Sequence, residues 1–314
     1  MSVKVAVVGC GHWGKNHVRN FAQLGALAAV VDPHAPTAQR FADEYGAEAL
    51  TFDKALEHED VDAVVIAAPA ELHADLAVRA FEAGKHVFVE KPIALTLQEA
   101  ETMKAASLRA GKTLMVGHLL QYHPAFVALR DFVGAGKLGE LRYAYSHRCS
   151  LGKFRTEENA LWSFAPHDVS MLLALFGNAP DSVSGTGGAF VTDGVEDECR
   201  VDMTFPGGGR AHVFASWLHP FKEHRLIVVG ETGMAVFEDS ANGDEKLRLY
   251  RHTIDTSGAA PVPSKADWEP IPYGDDEPLR TECQHFLDAC AGGKALTDAD
   301  EAMRVLDVLL KASA

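Results

Sequence analysis

Positive charge is scarce in this chain: 29 lysines and arginines stand against 44 aspartates and glutamates in 314 residues, a formal net charge of −15 at pH 7. Such a field repels phosphate backbones over the surface as a whole, which argues against a nucleic-acid partner, although a few cations in one cleft can still take an anionic small molecule. Cysteine is scarce as well. The five present, Cys10, Cys149, Cys199, Cys283 and Cys290, are odd in number, far apart and never spaced as C-x-x-C. No disulfide framework is expected, and a reducing, cytoplasmic setting fits. There is no His-x-x-x-His or cysteine-rich spacing, so no metal site is expected. Nowhere do about 18 apolar residues run unbroken, which excludes a membrane-spanning helix. The N-terminus enters a strand-like run at once, so no leader is expected. What is present, 47% hydrophobic and 23% charged residues, is the composition of a folded protein of about two domains.

From Val3 to Gly117 short apolar runs (VKVAVVG, AAVVD, AVVIAAP, HVFVE, TLMVG) alternate with helical stretches such as Gly14 to Leu24 and Gln39 to Tyr45. Continuously apolar strands separated by helices predict a parallel sheet covered on both faces. The texture then changes. A helix PAFVALRDFVGAG leads to the alternating run GELRYAYSHRCS, a second helix APHDVSMLLALFG, and from Asp181 onward strand runs joined by glycine turns. The expected architecture is α/β: residues 1–120 as a nucleotide-binding domain, then residues 121–314 as an α+β domain with a largely antiparallel open sheet. Residues 255–276 read as a long loop before two closing helices, roughly 277–291 and 298–311, which can pack back on the first domain.

The first strand runs into Gly9-Cys10-Gly11-His12-Trp13-Gly14, a G-x-G-x-x-G that follows a strand and opens a helix. There the glycines permit a tight turn and let backbone N–H groups reach a pyrophosphate, the Rossmann arrangement. Asp32 ends the second strand, 18 residues beyond Gly14, where a carboxylate accepts from a ribose diol and repels a 2′-phosphate. NAD is therefore the expected cofactor rather than NADP. Two further strand ends, Ala67-Ala68-Pro69 and Glu90-Lys91-Pro92, fall where open α/β sheets bind ligands and a nicotinamide would lie. His73 either reaches the cofactor ribose or simply occupies a first helical turn. His167, with Pro166 before it, falls at the expected start of APHDVSMLLALFG; it is either a base kept neutral by the helix N-terminus or a capping or core histidine.

The glycine loop, Glu90-Lys91-Pro92, Gly117-His118 leading to His123-Pro124, and Pro166-His167-Asp168 together resemble the Gfo/Idh/MocA oxidoreductase family over the whole chain. Within it, GCGHWGKNHVRNFAQLG and LGKFRTEENALWSFAPHDVS resemble bacterial nucleotide-sugar 3-dehydrogenases, which oxidise the 3-hydroxyl of UDP-N-acetylglucosamine or its uronate ahead of an aminotransferase. The resemblance implies that Lys91 and His167 flank the reacting carbinol, and that the second-domain sheets pair in dimers or tetramers. Many relatives carry an aspartate four residues before the histidine; here it is Ser163, and Ser170 replaces the usual acidic residue three after it. Arg148, Lys153 and Arg155 are candidates for the diphosphate, or belong to a solvated loop. Tyr122 and Trp162 pack on sugar or uracil, or belong to the core. The expected function is NAD-dependent oxidation of a UDP-linked N-acetylated sugar, UDP-N-acetylglucosamine before its uronate. The alternatives are another sugar or polyol dehydrogenase of the family, or a non-catalytic NAD-binding sensor.

Overall fold

The structure, a computed structural model, describes residues 3–152, 154–156 and 158–313. The chain divides into two compact units, residues 1–119 with 277–306, and residues 120–276 with 307–314.

The first unit runs β1 (Val5–Val8), α1 (Gly14–Gln23), β2 (Leu27–Val31), α2 (Ala35–Tyr45), β3 (Glu48–Ala49), α3 (Phe52–Glu57), β4 (Ala63–Ile66), α4 (His73–Glu82), β5 (His86–Glu90), α5 (Leu97–Ala110) and β6 (Leu114–Gly117). Its strands form one parallel sheet, as the alternation of runs predicts, in the Rossmann order β3-β2-β1-β4-β5-β6. Val64, Val65 and Ile66 have 0% exposure. Fully burying each such side chain contributes about 1.5–3 kcal/mol, whereas an exposed ion pair such as Arg79–Asp75 contributes about 0–1 kcal/mol. The apolar strands, not the surface charges, hold this unit together. Helix ends follow local chemistry: Thr96 and Glu99 form a capping box at α5, and Gly46 and Gly111 close α2 and α5 with left-handed backbone.

The second unit contains α6 (Pro124–Gly134), β7 (Leu141–Cys149), α7 (Ala160–Phe176), β8 (Ser182–Gly188), β9 (Glu198–Thr204), β10 (Arg210–Ser216), β11 (Glu223–Gly230), β12 (Met234–Glu238), β13 (Leu247–Tyr250), β14 (Thr253–Asp255), β15 (Val262–Ser264) and β16 (Trp268–Pro270). Eight of these strands form one sheet, β16-β13-β12-β11-β7-β10-β9-β8, antiparallel except for the β7–β10 pair. The stretch expected as a bare loop over 255–276 instead holds the β14–β15 hairpin and the edge strand β16. All their residues are exposed, so no apolar periodicity marked them, and Pro270 is tolerated because β16 is an edge.

The larger correction concerns α7. It begins at Ala160, not at Ala165: the Asn159 side chain accepts from the Trp162 N–H at 3.1 Å and caps it. Pro166 lies inside the helix, where it removes one intrahelical N–H donor. His167 therefore stands mid-helix, and the argument that a helix N-terminus keeps its imidazole neutral does not hold.

The closing helices are α8 (Pro278–Cys290) and α9 (Ala299–Ala312). Before α9, Val116 N–H donates to the Thr297 carbonyl at 2.8 Å and the Thr297 hydroxyl donates back to the Val116 carbonyl at 2.7 Å. Together these bonds cover the β6 edge of the parallel sheet.

Candidate active site

The glycine loop is a steric necessity at two positions. Gly9 has φ +89°, and a Cβ there would sit 2.7 Å from the Ala67 carbonyl oxygen; at Gly14 a Cβ would sit 1.8 Å from the Gly9 carbonyl oxygen. α1 thus packs directly against the turn that precedes it. Gly11 is different: a Cβ there meets nothing within 4 Å. The open space beside Gly11, and the exposed His12 and Trp13 that follow, are what a pyrophosphate cradle requires.

Asp32 is held by two backbone donors, Cys10 N–H at 2.8 Å and His34 N–H at 2.9 Å, one on each carboxylate oxygen. Each oxygen keeps a further lone pair for a ribose hydroxyl. Beside it, burial first and the Asp32 charge second push the Cys10 thiol up to about 12, so Cys10 acts as a small apolar residue.

At the other strand ends, β5 finishes in Glu90 and is followed by Lys91, whose peptide bond to Pro92 is cis. Glu90 accepts from Trp13 Nε1 at 2.5 Å, His17 Nε2 at 2.6 Å and the Lys91 N–H at 3.1 Å. Burial alone would raise its carboxyl, but donation from His17 and Trp13 and the nearby Lys91 charge outweigh burial and hold it below the ordinary value. Glu90 is thus an anion that gathers Lys91, Trp13 and His17 around it. His73 is buried, with Nδ1 2.8 Å from the Pro92 carbonyl oxygen and Nε2 2.9 Å from the Ala68 carbonyl oxygen. Burial lowers its pKa despite these two acceptors. Each nitrogen faces a backbone carbonyl and the uncharged ring donates to one of them, so His73, the first residue of α4, sits between the Ala68-Pro69 and Lys91-Pro92 strand ends.

In the second unit, His167 is half-buried on α7, and the next residue, Asp168, has 0% exposure. Asp168 accepts from Arg148 Nε, from Arg148 NH2 at 3.2 Å and from the Ser146 hydroxyl. Arg148 NH1 also lies 3.2 Å from His224 Nδ1. This corrects the expected basic trio: Arg148 is buried in β7 with its guanidinium committed to an internal ion pair. Arg155 pairs with Glu158 at 2.6 Å on a half-exposed segment, and Lys153 lies outside the described residues. Tyr122 is only 5% exposed, which leaves little ring face for a ligand. Trp162 is half-buried and donates its indole N–H to the Ser313 hydroxyl at 3.2 Å. Ser163 and Ser170 are buried on α7, and Gln121 Nε2 donates to the Ser170 hydroxyl at 2.9 Å.

Three features escaped the sequence reading. His17 carried a usable signal, since it stands four residues after Trp13 and so shares its helix face. Asp168 was visible as a residue but not as the partner of Arg148, because 20 residues and a change of element separate them. The third is a half-buried cluster in which His123 and Lys246 approach Asp239 at 3.4 and 3.5 Å. Burial raises the Asp239 carboxyl, but bonds from His123 and His224 and the charges of His123 and Lys246 more than reverse this and hold it well below the carboxylate range. Among the described residues no group of His, Cys, Asp and Glu is arranged to hold a metal ion, and no helix is long and apolar enough to cross a membrane.

Residues 3–118 match the NAD-binding Rossmann fold of the Gfo/Idh/MocA oxidoreductase family, and residues 126–236 match the family's C-terminal domain. The chain belongs to this family. It is 30% identical over 312 residues to a UDP-N-acetylglucosamine 3-dehydrogenase from Acidithiobacillus ferrooxidans, covering 98% of this chain and 96% of that relative. It is also 28% identical over 316 residues to scyllo-inositol 2-dehydrogenase (NAD(+)) from Bacillus subtilis, covering 95% and 90%. A solved structure of the Acidithiobacillus ferrooxidans enzyme superposes with a TM-score of 0.86 at 28% identity, covering 99% of this chain and 96% of that one. The protein is an NAD-dependent oxidoreductase, and its glycine loop and Asp32 fit that cofactor.

Proposed function

We propose that the protein oxidises the 3-hydroxyl of UDP-N-acetylglucosamine to the ketone. The observation that carries this reading is the 30% identity to a UDP-N-acetylglucosamine 3-dehydrogenase over nearly the full length of both chains. Ser163, where the family resemblance implies an aspartate in many relatives, weighs against the inositol reading. The committed state of Arg148 weakens the basic-trio argument and leaves Arg155 and Lys153 as the diphosphate candidates from that group. UDP-N-acetylglucosaminuronate is the second substrate to test, since its carboxylate would need one further cation.

Bound NAD supplies the hydride acceptor. The remaining work falls to the chain. Lys91 is assigned to donate to the hydroxyl oxygen and stabilise developing alkoxide charge, and His167 to accept the hydroxyl proton. Gly9, Gly11 and Gly14 would receive the pyrophosphate, with His12 and Trp13 at its rim, and Asp32 the adenosine ribose. Ala68, Pro69 and Glu90 would border the nicotinamide end. Alcohol oxidation by NAD is uphill at neutral pH, so an aminotransferase that consumes the ketone is the proposed functional partner, and the protein is proposed to act as a dimer or tetramer.

A melting-temperature screen of UDP-sugars, free sugars and inositols with NAD present tests the substrate class. A ligand at 100 times its dissociation constant contributes about 2.7 kcal/mol of stability. Stabilisation by UDP-N-acetylglucosamine supports the reading, and stabilisation by inositols alone overturns it.

A further inference from the structure

His17 is a histidine where packing asks only for an aromatic hydrocarbon. It has 0% exposure, and its ring lies 5.0 Å from the Phe88 ring and 6.2 Å from the Phe21 ring, centroid to centroid. Burying an imidazole among phenyl rings costs free energy unless its nitrogens are bonded. Both are engaged. Nε2 lies 2.6 Å from Glu90 Oε1, and Nδ1 lies 3.7 Å from the Cys283 sulfur. The Glu90 carboxylate can only accept, so a ring proton sits on Nε2, facing it.

Glu90 in turn has three donors on two oxygens. Trp13 and His17 share Oε1, and the Lys91 N–H takes Oε2. Gly117 keeps the space beside it clear, because a Cβ there would sit 2.9 Å from Glu90 Oε2. The nearby Glu282 on α8 has 0% exposure and no partner for either oxygen among the described residues. Burial and the Glu90 charge drive it to its neutral form, so it adds no second negative charge. The carboxylate of Glu90 is therefore fixed from the α1 side by His17 and Trp13, and it presents its other oxygen and its charge to Lys91.

We infer that His17 is a positioning residue for Lys91, acting through Glu90: its Nε2–H fixes the carboxylate against which the Lys91 backbone and ammonium are set. The inference rests on the proposed role of Lys91.

Two variants separate positioning from packing. His17→Leu fills the space without a donor, and His17→Gln returns an N–H near the position of Nε2. If His17→Leu fails to fold, His17→Phe carries the same test. Two readouts are taken on the full chain. The first is the 13C resonance of reductively methylated Lys91, assigned by its loss in Lys91→Ala, which needs no substrate. The second is turnover of UDP-N-acetylglucosamine with NAD, alongside NAD affinity. Expected are a displaced Lys91 resonance and a kcat lowered about tenfold or more in His17→Leu, with NAD affinity within about twofold and most of both effects reversed in His17→Gln. An unmoved resonance in His17→Leu, or equal losses in the Leu and Gln variants, overturns the inference. Wild-type turnover in Lys91→Ala, with the resonance still displaced by His17→Leu, instead removes Lys91 from the chemistry while leaving the positioning intact.

Discussion

Arg148 and Asp168 form a buried ion pair that joins the longest helix of the second unit to the middle of its sheet. Arg148 sits on β7, which has β10 and β11 on either side, and Asp168 follows His167 directly on α7. Holding Asp168 against the sheet sets the rotation of α7, and with it the direction in which His167 projects. Removing one partner leaves a buried charge uncompensated, at a cost of about 3–5 kcal/mol. Asp168→Ala and Arg148→Ala should each lower the melting temperature sharply, and the double variant should lose much less than the sum. Calorimetry that finds additive losses would show that the two charges do not depend on each other.

Lys91→Ala and His167→Ala should each lower kcat by roughly 100-fold or more with little change in NAD affinity, the range of a positioned acid or base. Steady-state kinetics with circular dichroism as a folding control checks this. Turnover near wild type in either variant removes that residue from the chemistry.

Asp32 should make NAD bind much more tightly than NADP. Asp32→Ala with arginine introduced beside it should narrow or invert that preference in a direct titration. A wild-type protein that already prefers NADP would mean that Asp32 does not receive the ribose diol.

The buried Glu282 gives a pH dependence with a definite sign. Its folded pKa is raised, so above the ordinary carboxyl value the unfolded chain releases a proton that the folded chain keeps. Stability from this group therefore falls as pH rises, by about 1.4 kcal/mol per pH unit until the folded pKa is reached. Glu90, whose folded pKa is lowered, contributes stability that is fully present above pH 5 and lost only in acid, so it does not mask the effect. Glu282→Met should gain melting temperature over wild type, and the gain should grow as pH rises above the ordinary carboxyl value. A gain independent of pH would place the folded pKa of Glu282 near its ordinary value.

The outer face of the eight-stranded sheet carries Tyr143, 44% exposed, and beside it Tyr145 stacked on His212 with ring centroids 5.1 Å apart. Their neighbours Ala144 and Ser146 point to the buried face. A second copy of the chain is the proposed cover for these aromatics. Light scattering should find a dimer or tetramer at micromolar concentration, and Tyr143→Asp should shift it toward monomer; a wild-type monomer would contradict the assembly.

Legibility in the sequence followed the range of the interactions. The parallel sheet was readable because VAVV and AVVI are buried on both faces, and the glycine loop because its turn needs residues without a Cβ. The start of α7 was missed because Pro166 looked like a first-turn proline, while the true cap, Asn159, preceded residues of mixed polarity. The role of Arg148 was missed for another reason, and of the two readings open for His73 the first helical turn is where it stands. A cation or an imidazole looks the same in sequence whether it waits for a ligand or is bonded to a carboxylate or carbonyl brought near by the fold.

The most direct test of the central claim is product identity. The protein should be incubated with NAD, UDP-N-acetylglucosamine, an aminotransferase and an amino donor, and the nucleotide sugar analysed by mass and NMR. The expected result is NADH together with a UDP-sugar in which the 3-hydroxyl has become a ketone or an amine. No change in UDP-N-acetylglucosamine or its uronate, with clear NADH formation from a free inositol or sugar, would contradict the nucleotide-sugar reading.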